Sequence, residues 1–98
     1  MTRSLAFTER AAVDIQDAFE WYEMQRAGLG EEFGAALALT FDLIQLIPEA
    51  GPVVHGDLRR LLLRRFPYAI YYRLTDGRIE VRACLHQRRH ARAWRSRI

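Results

Sequence analysis

Lysine is absent from this chain: all fifteen basic side chains are arginine. A GC-rich genome would produce the same bias, so the missing lysines carry little functional weight. Cysteine is nearly absent. Cys84 stands alone and cannot form an internal disulfide, which fits a reducing compartment and an expected cytoplasmic location. Long apolar runs are missing too. No stretch approaches the roughly 20 residues that a membrane-spanning helix needs, so no membrane association is expected. The start, Met1-Thr-Arg-Ser4, runs into a short strand-like stretch rather than a leader-like apolar segment, and no signal peptide is expected. There are no internal repeats, low-complexity tracts, long linkers or Gly-rich phosphate loops. What remains is a chain of 98 residues, 50% hydrophobic and 28% charged, long enough for one globular domain spanning 1–98.

Charge is divided unevenly along it. Residues 1–57 carry three arginines against ten carboxylates, a net of −7, whereas residues 58–98 carry twelve arginines against Asp76 and Glu80, a net of +10. Either the acidic half offsets the basic half within the monomer, or the basic half meets an acidic or polyanionic partner.

The punctuation divides the chain into six elements. Leu5–Phe7 reads as a short strand. Thr8 can cap a helix over about 9–25, in which Ala12, Ile15, Phe19 and Tyr22 form a buried stripe and Asp14, Asp17, Glu20 and Glu23 the opposite side. Gly28-Leu-Gly30 marks a turn. A second helix runs over about 31–47, with Glu31 and Glu32 at its positive end and Pro48 stopping it. It carries two apolar stripes: Phe33, Leu37, Phe41, Ile44 and Ile47, and Ala36, Leu39, Leu43 and Leu46. One stripe covers a small sheet; the second packs on the first helix, on another copy of the chain or on a partner. A loop from Pro48 to about Asp57 leads to strands at about 58–65, 68–75 and 78–86, the last two joined by the Asp76-Gly77 hairpin signal. Alternation puts Ile70, Tyr72, Leu74, Ile79, Val81, Ala83 and Leu85 on the core face. Tyr71, Arg73, Arg78, Glu80, Arg82, Cys84 and His86 fall on the other. The predicted fold is α+β, in the order β-α-α-β-β-β. A helical hairpin packs on one face of a small, mainly antiparallel sheet, followed by a basic tail that is either a short helix or an extended arm.

Three groups of residues could carry chemistry. Arginines with interleaved aromatics suit phosphate or carboxylate recognition and base stacking: Arg59, Arg60, Arg64, Arg65, Tyr71, Arg73, Arg82, Arg88, Arg89, Arg92 and Trp94. Arg82 and His86, four apart on one strand, could stabilise charge and move a proton in RNA cleavage. His86 and His90 have the spacing of a helical metal pair, but Arg88 and Arg89 between them oppose a cation, so neither a metal nor any other cofactor is expected. Cys84 reads as an inert strand residue.

Taken in order, several segments resemble the RelE/ParE superfamily of toxins from bacterial type II toxin–antitoxin systems. They are Ala11-Ala-Val-Asp14-Ile15, Trp21-Tyr22-Glu23, Phe33, Pro48 with Gly51-Pro52, Arg59-Arg60, Arg65-Phe-Pro-Tyr68-Ala-Ile70-Tyr71-Tyr72-Arg73, Cys84-Leu-His86-Gln-Arg88-Arg89, and Trp94. The resemblance implies a helical hairpin on a small antiparallel sheet and a cognate antitoxin whose C-terminal segment wraps the toxin. Leu39, Leu43 and Leu46 are the expected antitoxin contacts. ParE-like members inhibit DNA gyrase, while RelE-like members cut mRNA in the ribosomal A site. Tyr68 stands where several nuclease members carry an arginine, and no tyrosine follows Tyr72. The resemblance therefore implies a ParE-like gyrase inhibitor first, with Arg59, Arg60, Arg65, Tyr71, Arg73, Arg88, Arg89 and Trp94 contacting the target. A ribosome-dependent endonuclease using Arg82 and His86 is the alternative.

Overall fold

The computed structural model describes residues 3–90 and 92–98; Met1 and Thr2 at the N-terminal start and Ala91 in the basic tail lie outside the described residues. The elements are β1 (Leu5–Phe7), α1 (Glu9–Gln25), α2 (Leu29–Leu46), a 3₁₀ turn (Pro48–Ala50), β2 (Val53–His55), β3 (Leu58–Leu62), β4 (Tyr68–Thr75), β5 (Arg78–His86) and a C-terminal 3₁₀ helix (Ala93–Arg97). The sheet order is β1-β5-β4-β3-β2, antiparallel throughout except for the parallel β1–β5 pair. No helix among the described residues is long and apolar enough to cross a membrane. The α+β architecture with a helical hairpin on one sheet face is as predicted. The loop expected over 48–57 instead holds the 3₁₀ turn and the extra edge strand β2, and β3 ends at Leu62 rather than at residue 65.

The caps explain the helix boundaries. The Thr8 side chain accepts from the Ala11 N–H at 3.1 Å, a cap worth about 1 kcal/mol. Glu23 does not simply face solvent. Its carboxylate accepts from the backbone N–H groups of Gly28 and Gly30, neutralising the otherwise orphaned start of α2. Gly30 is required where the helices cross, because a Cβ there would lie 3.0 Å from the Phe19 carbonyl oxygen.

The buried face of α1 is rotated from the expected stripe: Ala11, Ala18 and Tyr22 are buried, Ile15 and Phe19 are partly so, and Ala12 is exposed. This rotation turns Asp14 toward the sheet. On α2, Phe33, Leu37 and Ile44 are buried and Phe41 is half-buried, whereas Ile47 at the helix end is exposed. Tyr22, Phe33, Phe66 and Tyr68 form an aromatic knot with ring centroids 4.9 to 5.9 Å apart. The Pro48–Gly51 corner is tied down by Tyr72, whose hydroxyl donates to the Pro48 carbonyl at 2.7 Å and accepts from the Gly51 N–H at 3.0 Å.

One irregularity decides the faces of β5. Tyr71 pairs with Ala83 but Tyr72 pairs with Val81, so Arg82 is an extra, bulged residue. Ile79 and Val81 face the helices, but beyond the bulge the alternation inverts. Cys84 joins the main core, while Ala83 and Leu85 join Leu58, Ala69 and Tyr71 on the opposite face. The expected assignment of Ala83, Leu85, Cys84 and His86 is thus reversed, because a bulge shifts a period-two pattern by one residue.

Candidate functional site: an apolar groove and a cationic strap

The second face of the sheet is covered by the chain's own tail. The C-terminal 3₁₀ helix folds back as a strap over it. A 3₁₀ helix repeats every three residues, so Trp94 and Arg97 share its inner row. Trp94 stacks on Tyr71, with centroids 6.4 Å apart and planes at 14°, and Tyr71 is fully buried. Arg97 reaches α1, donating to both Asp14 carboxylate oxygens at 2.6 and 3.0 Å. Asp14 also accepts from the Cys84 N–H at 3.0 Å, and Arg82 Nε donates to the Arg97 carbonyl at 2.8 Å. Strap, α1 and bulge are therefore one hydrogen-bonded junction, which the sequence reading missed by placing Asp14 on the solvent side.

This junction redistributes the expected target-binding residues. Tyr71 is inaccessible, and Trp94 is spent on packing. Arg59 donates to the Gly51 carbonyl at 2.8 Å and braces the 3₁₀ corner. Arg73 pairs with Glu80, and Arg65 with Glu32. Arg60 lies within 3.5 Å of the Gln87 side chain, which in turn donates to the Tyr71 hydroxyl. Arg88 and Arg89 are exposed. Arg89 also sits over the Trp21 ring, 5.0 Å from its centroid. Arg92 and Arg95 are exposed as well.

Arg82 and His86 are not brought together. Arg82 turns to Glu80, donating at 2.7 Å on the face away from the helices. Arg82, with desolvation opposing and Arg73 adding, holds the Glu80 carboxyl below its usual range. His86 packs edge-on against Tyr68 on the helix side, and its Nδ1 accepts from the N–H groups of Arg88 and Arg89 at 3.1 Å. Burial, then Arg89, His90 and Arg88, pushes its pKa below the ordinary imidazole value. Burial likewise raises Tyr68, and raises the Cys84 thiol to about 12, so Cys84 is no thiolate nucleophile.

A second surface is apolar. A groove of about 760 Å³ runs between α2 and β3, lined by Ala36, Leu39, Leu43, Leu61 and Leu62 and flanked by Glu32, Arg64 and Arg65. Leu39 and Leu43 are 65% and 40% exposed, so the second stripe of α2 is not consumed within the monomer. Leu46 is 72% exposed and lies outside the groove lining. Leu61 and Leu62 supply the opposite wall; sequence reasoning assigned them only to a strand.

Among solved structures, the chain is similar to one described as the chromosomal ParDE TA system from P. aeruginosa. The TM-score is 0.75 and the identity 19%, covering 87% of this chain and 96% of that one, a likeness of fold. No curated protein matches the chain. Residues 5–91 match the family described as the ParE toxin of the type II toxin–antitoxin system parDE. That match spans the helical hairpin and the whole sheet and ends just before the strap, so the chain belongs to the ParE toxin family.

Proposed function

We propose that this chain is the toxin of its own toxin–antitoxin pair, acting in the cytoplasm by binding DNA gyrase and neutralised by a cognate antitoxin. The observation that carries the reading is the separation of two unlike surfaces on one ParE-family domain. The α2–β3 groove is apolar with arginines at its end, which suits an amphipathic helix carrying acidic residues. The antitoxin takes this groove through Leu39 and Leu43, with Leu46 at its margin. The exposed Arg88 and Arg89 and the half-buried Arg60 are left for the target, with Arg59, Arg65, Arg73, Tyr71 and Trp94 shaping the surface behind them.

Binding rather than cleavage is supported by Arg82 and His86. They sit on opposite faces, and each is already engaged within the fold. The test is plasmid supercoiling by gyrase with added toxin. Inhibition at stoichiometric toxin is expected, and unchanged supercoiling at excess overturns the gyrase reading. Primer extension on translated mRNA covers the alternative: A-site cuts lost on His86→Ala would replace gyrase with the ribosome.

A further inference from the structure

The arginines of the basic half are not equivalent. Arg65, Arg73, Arg82 and Arg97 each pair with a carboxylate of the fold. Arg88, Arg89, Arg92 and Arg95 pair with none among the described residues, and neither does Arg10 of α1. Arg10 and Arg89 share one margin of the molecule with the strap that carries Arg92 and Arg95. The same threefold period that sends Trp94 and Arg97 inward leaves Arg92 and Arg95 together on an outer row. Arg10 reaches this margin, its guanidinium 3.5 Å from the Ser96 carbonyl. Arg89 is laid across Trp21 beside it. Arg10, Arg89, His90 and Arg97 line a shared cavity of about 420 Å³. Of the two carboxylates there, Asp14 is taken up by Arg97 and the Cys84 N–H, leaving only Asp17 to oppose the cations.

We propose that this margin is a phosphate-backbone site, by which the toxin binds nucleic acid directly and without a protein intermediary. An acidic protein partner fits it less well. Protein interfaces draw most of their affinity from clusters of apolar anchors; on the strap the only exposed large apolar side chain is Ile98, and Trp21, which lines the cavity and is 42% exposed, is overlaid by the Arg89 guanidinium. A phosphate backbone needs no such anchor, because neutralised phosphates release condensed counterions and guanidinium pairs bidentately with phosphate oxygens. The spacing also fits: at about 2.0 Å rise per residue, Arg92 and Arg95 lie roughly 6 Å apart along the strap, on the scale of the separation between neighbouring phosphates of one strand. Trp94 and Arg97 hold the strap from within, so the outer cations are presented with little further ordering.

The test is fluorescence anisotropy of the full chain with labelled duplex DNA, duplex RNA and single strands. No gyrase is present, so the result is independent of the gyrase reading. Four to five neutralised phosphates give a log–log salt slope of about −4, a loss of roughly 100-fold or more between about 50 and 200 mM salt. Arg92→Gln with Arg95→Gln reduces that slope by about 2. Arg3→Gln with Arg78→Gln makes the same charge change at the hairpin end of the sheet and leaves the slope intact. Tighter DNA or tighter RNA names the polymer. Equal slope changes from both variant pairs would reduce the site to net charge and overturn it. So would displacement of every nucleic acid by polyglutamate at equal charge concentration, which would make the margin an acidic-protein site.

Discussion

The α2–β3 groove and the C-terminal strap lie on the same small sheet yet face the solvent with opposite chemistry. In the groove, leucines are exposed although their helix is otherwise well packed; on the strap, arginines are exposed while the strap's own aromatic ring is half-buried against Tyr71. The difference lies in what each element had left after the fold was satisfied. One stripe of α2 suffices to cover the sheet, so its second stripe is surplus hydrophobicity. The strap spends Trp94 and Arg97 on docking, so its surplus is charge. Surplus apolar area suits a partner that buries it, and surplus charge suits one that exchanges counterions.

The sharpest way to break this comparison is to undock the strap. Arg97 and Asp14 are 9% and 13% exposed, so Arg97→Ala strands a nearly buried carboxylate and is expected to destabilise by about 3 kcal/mol in denaturant unfolding. The Asp14→Ala/Arg97→Ala double variant should lose less than the sum of the singles, because the stranded charge is gone. Additive losses would mean that the Arg97–Asp14 pair is not coupled and does not hold the strap.

The groove should respond differently. Leu43→Asp is expected to weaken antitoxin binding by about 2 kcal/mol, roughly 30-fold by calorimetry, while changing the melting temperature little. Leu46→Ser, outside the groove, should change binding by less than about 0.5 kcal/mol. Equal effects at Leu43 and Leu46 would extend the groove to the C-terminal end of α2.

The smallest effect is that of pH. The folded protein resists protonating His86, so the unfolded chain binds that proton first. Stability from neutral His86 is full above its ordinary value of 6.5 and is lost as pH falls through the depressed folded value. Glu80 follows the same sign in a lower window: its contribution is present above 4.5 and is lost as pH falls through its own depressed value. Melting curves across pH should show a shallow loss in the upper window that disappears in His86→Asn, leaving the lower one. A His86→Asn profile identical to that of the parent would remove His86 from the linkage.

Much of this was legible in the residues themselves. Thr8, Pro48 and Asp76-Gly77 are local signals, and each marked its boundary because caps and turns depend on neighbours in sequence. At the hairpin, Asp76 and Gly77 both take positive φ, 48° and 76°, the conformation that a two-residue turn demands. The surplus stripe of α2 was likewise visible, since periodicity reports which side chains share a face. Periodicity does not report where register slips. Nothing local announces the bulge at Arg82, which exists because β5 must pair with β4 on both sides of it. That bulge separated Arg82 from His86 and sent Cys84 into the core.

The sequence by itself determined an α+β ParE-family domain, the span of α1, the hairpin and the surplus of charge and leucine, while α2 begins at Leu29, inside the expected Gly28–Gly30 turn. Only the tertiary structure decided which arginines are free. Pairing Arg97 with Asp14 spans most of the chain, and covering Tyr71 with Trp94 requires the tail to return across the finished sheet. Such contacts have no local signature, because their energy is realised only when distant segments have already been brought together.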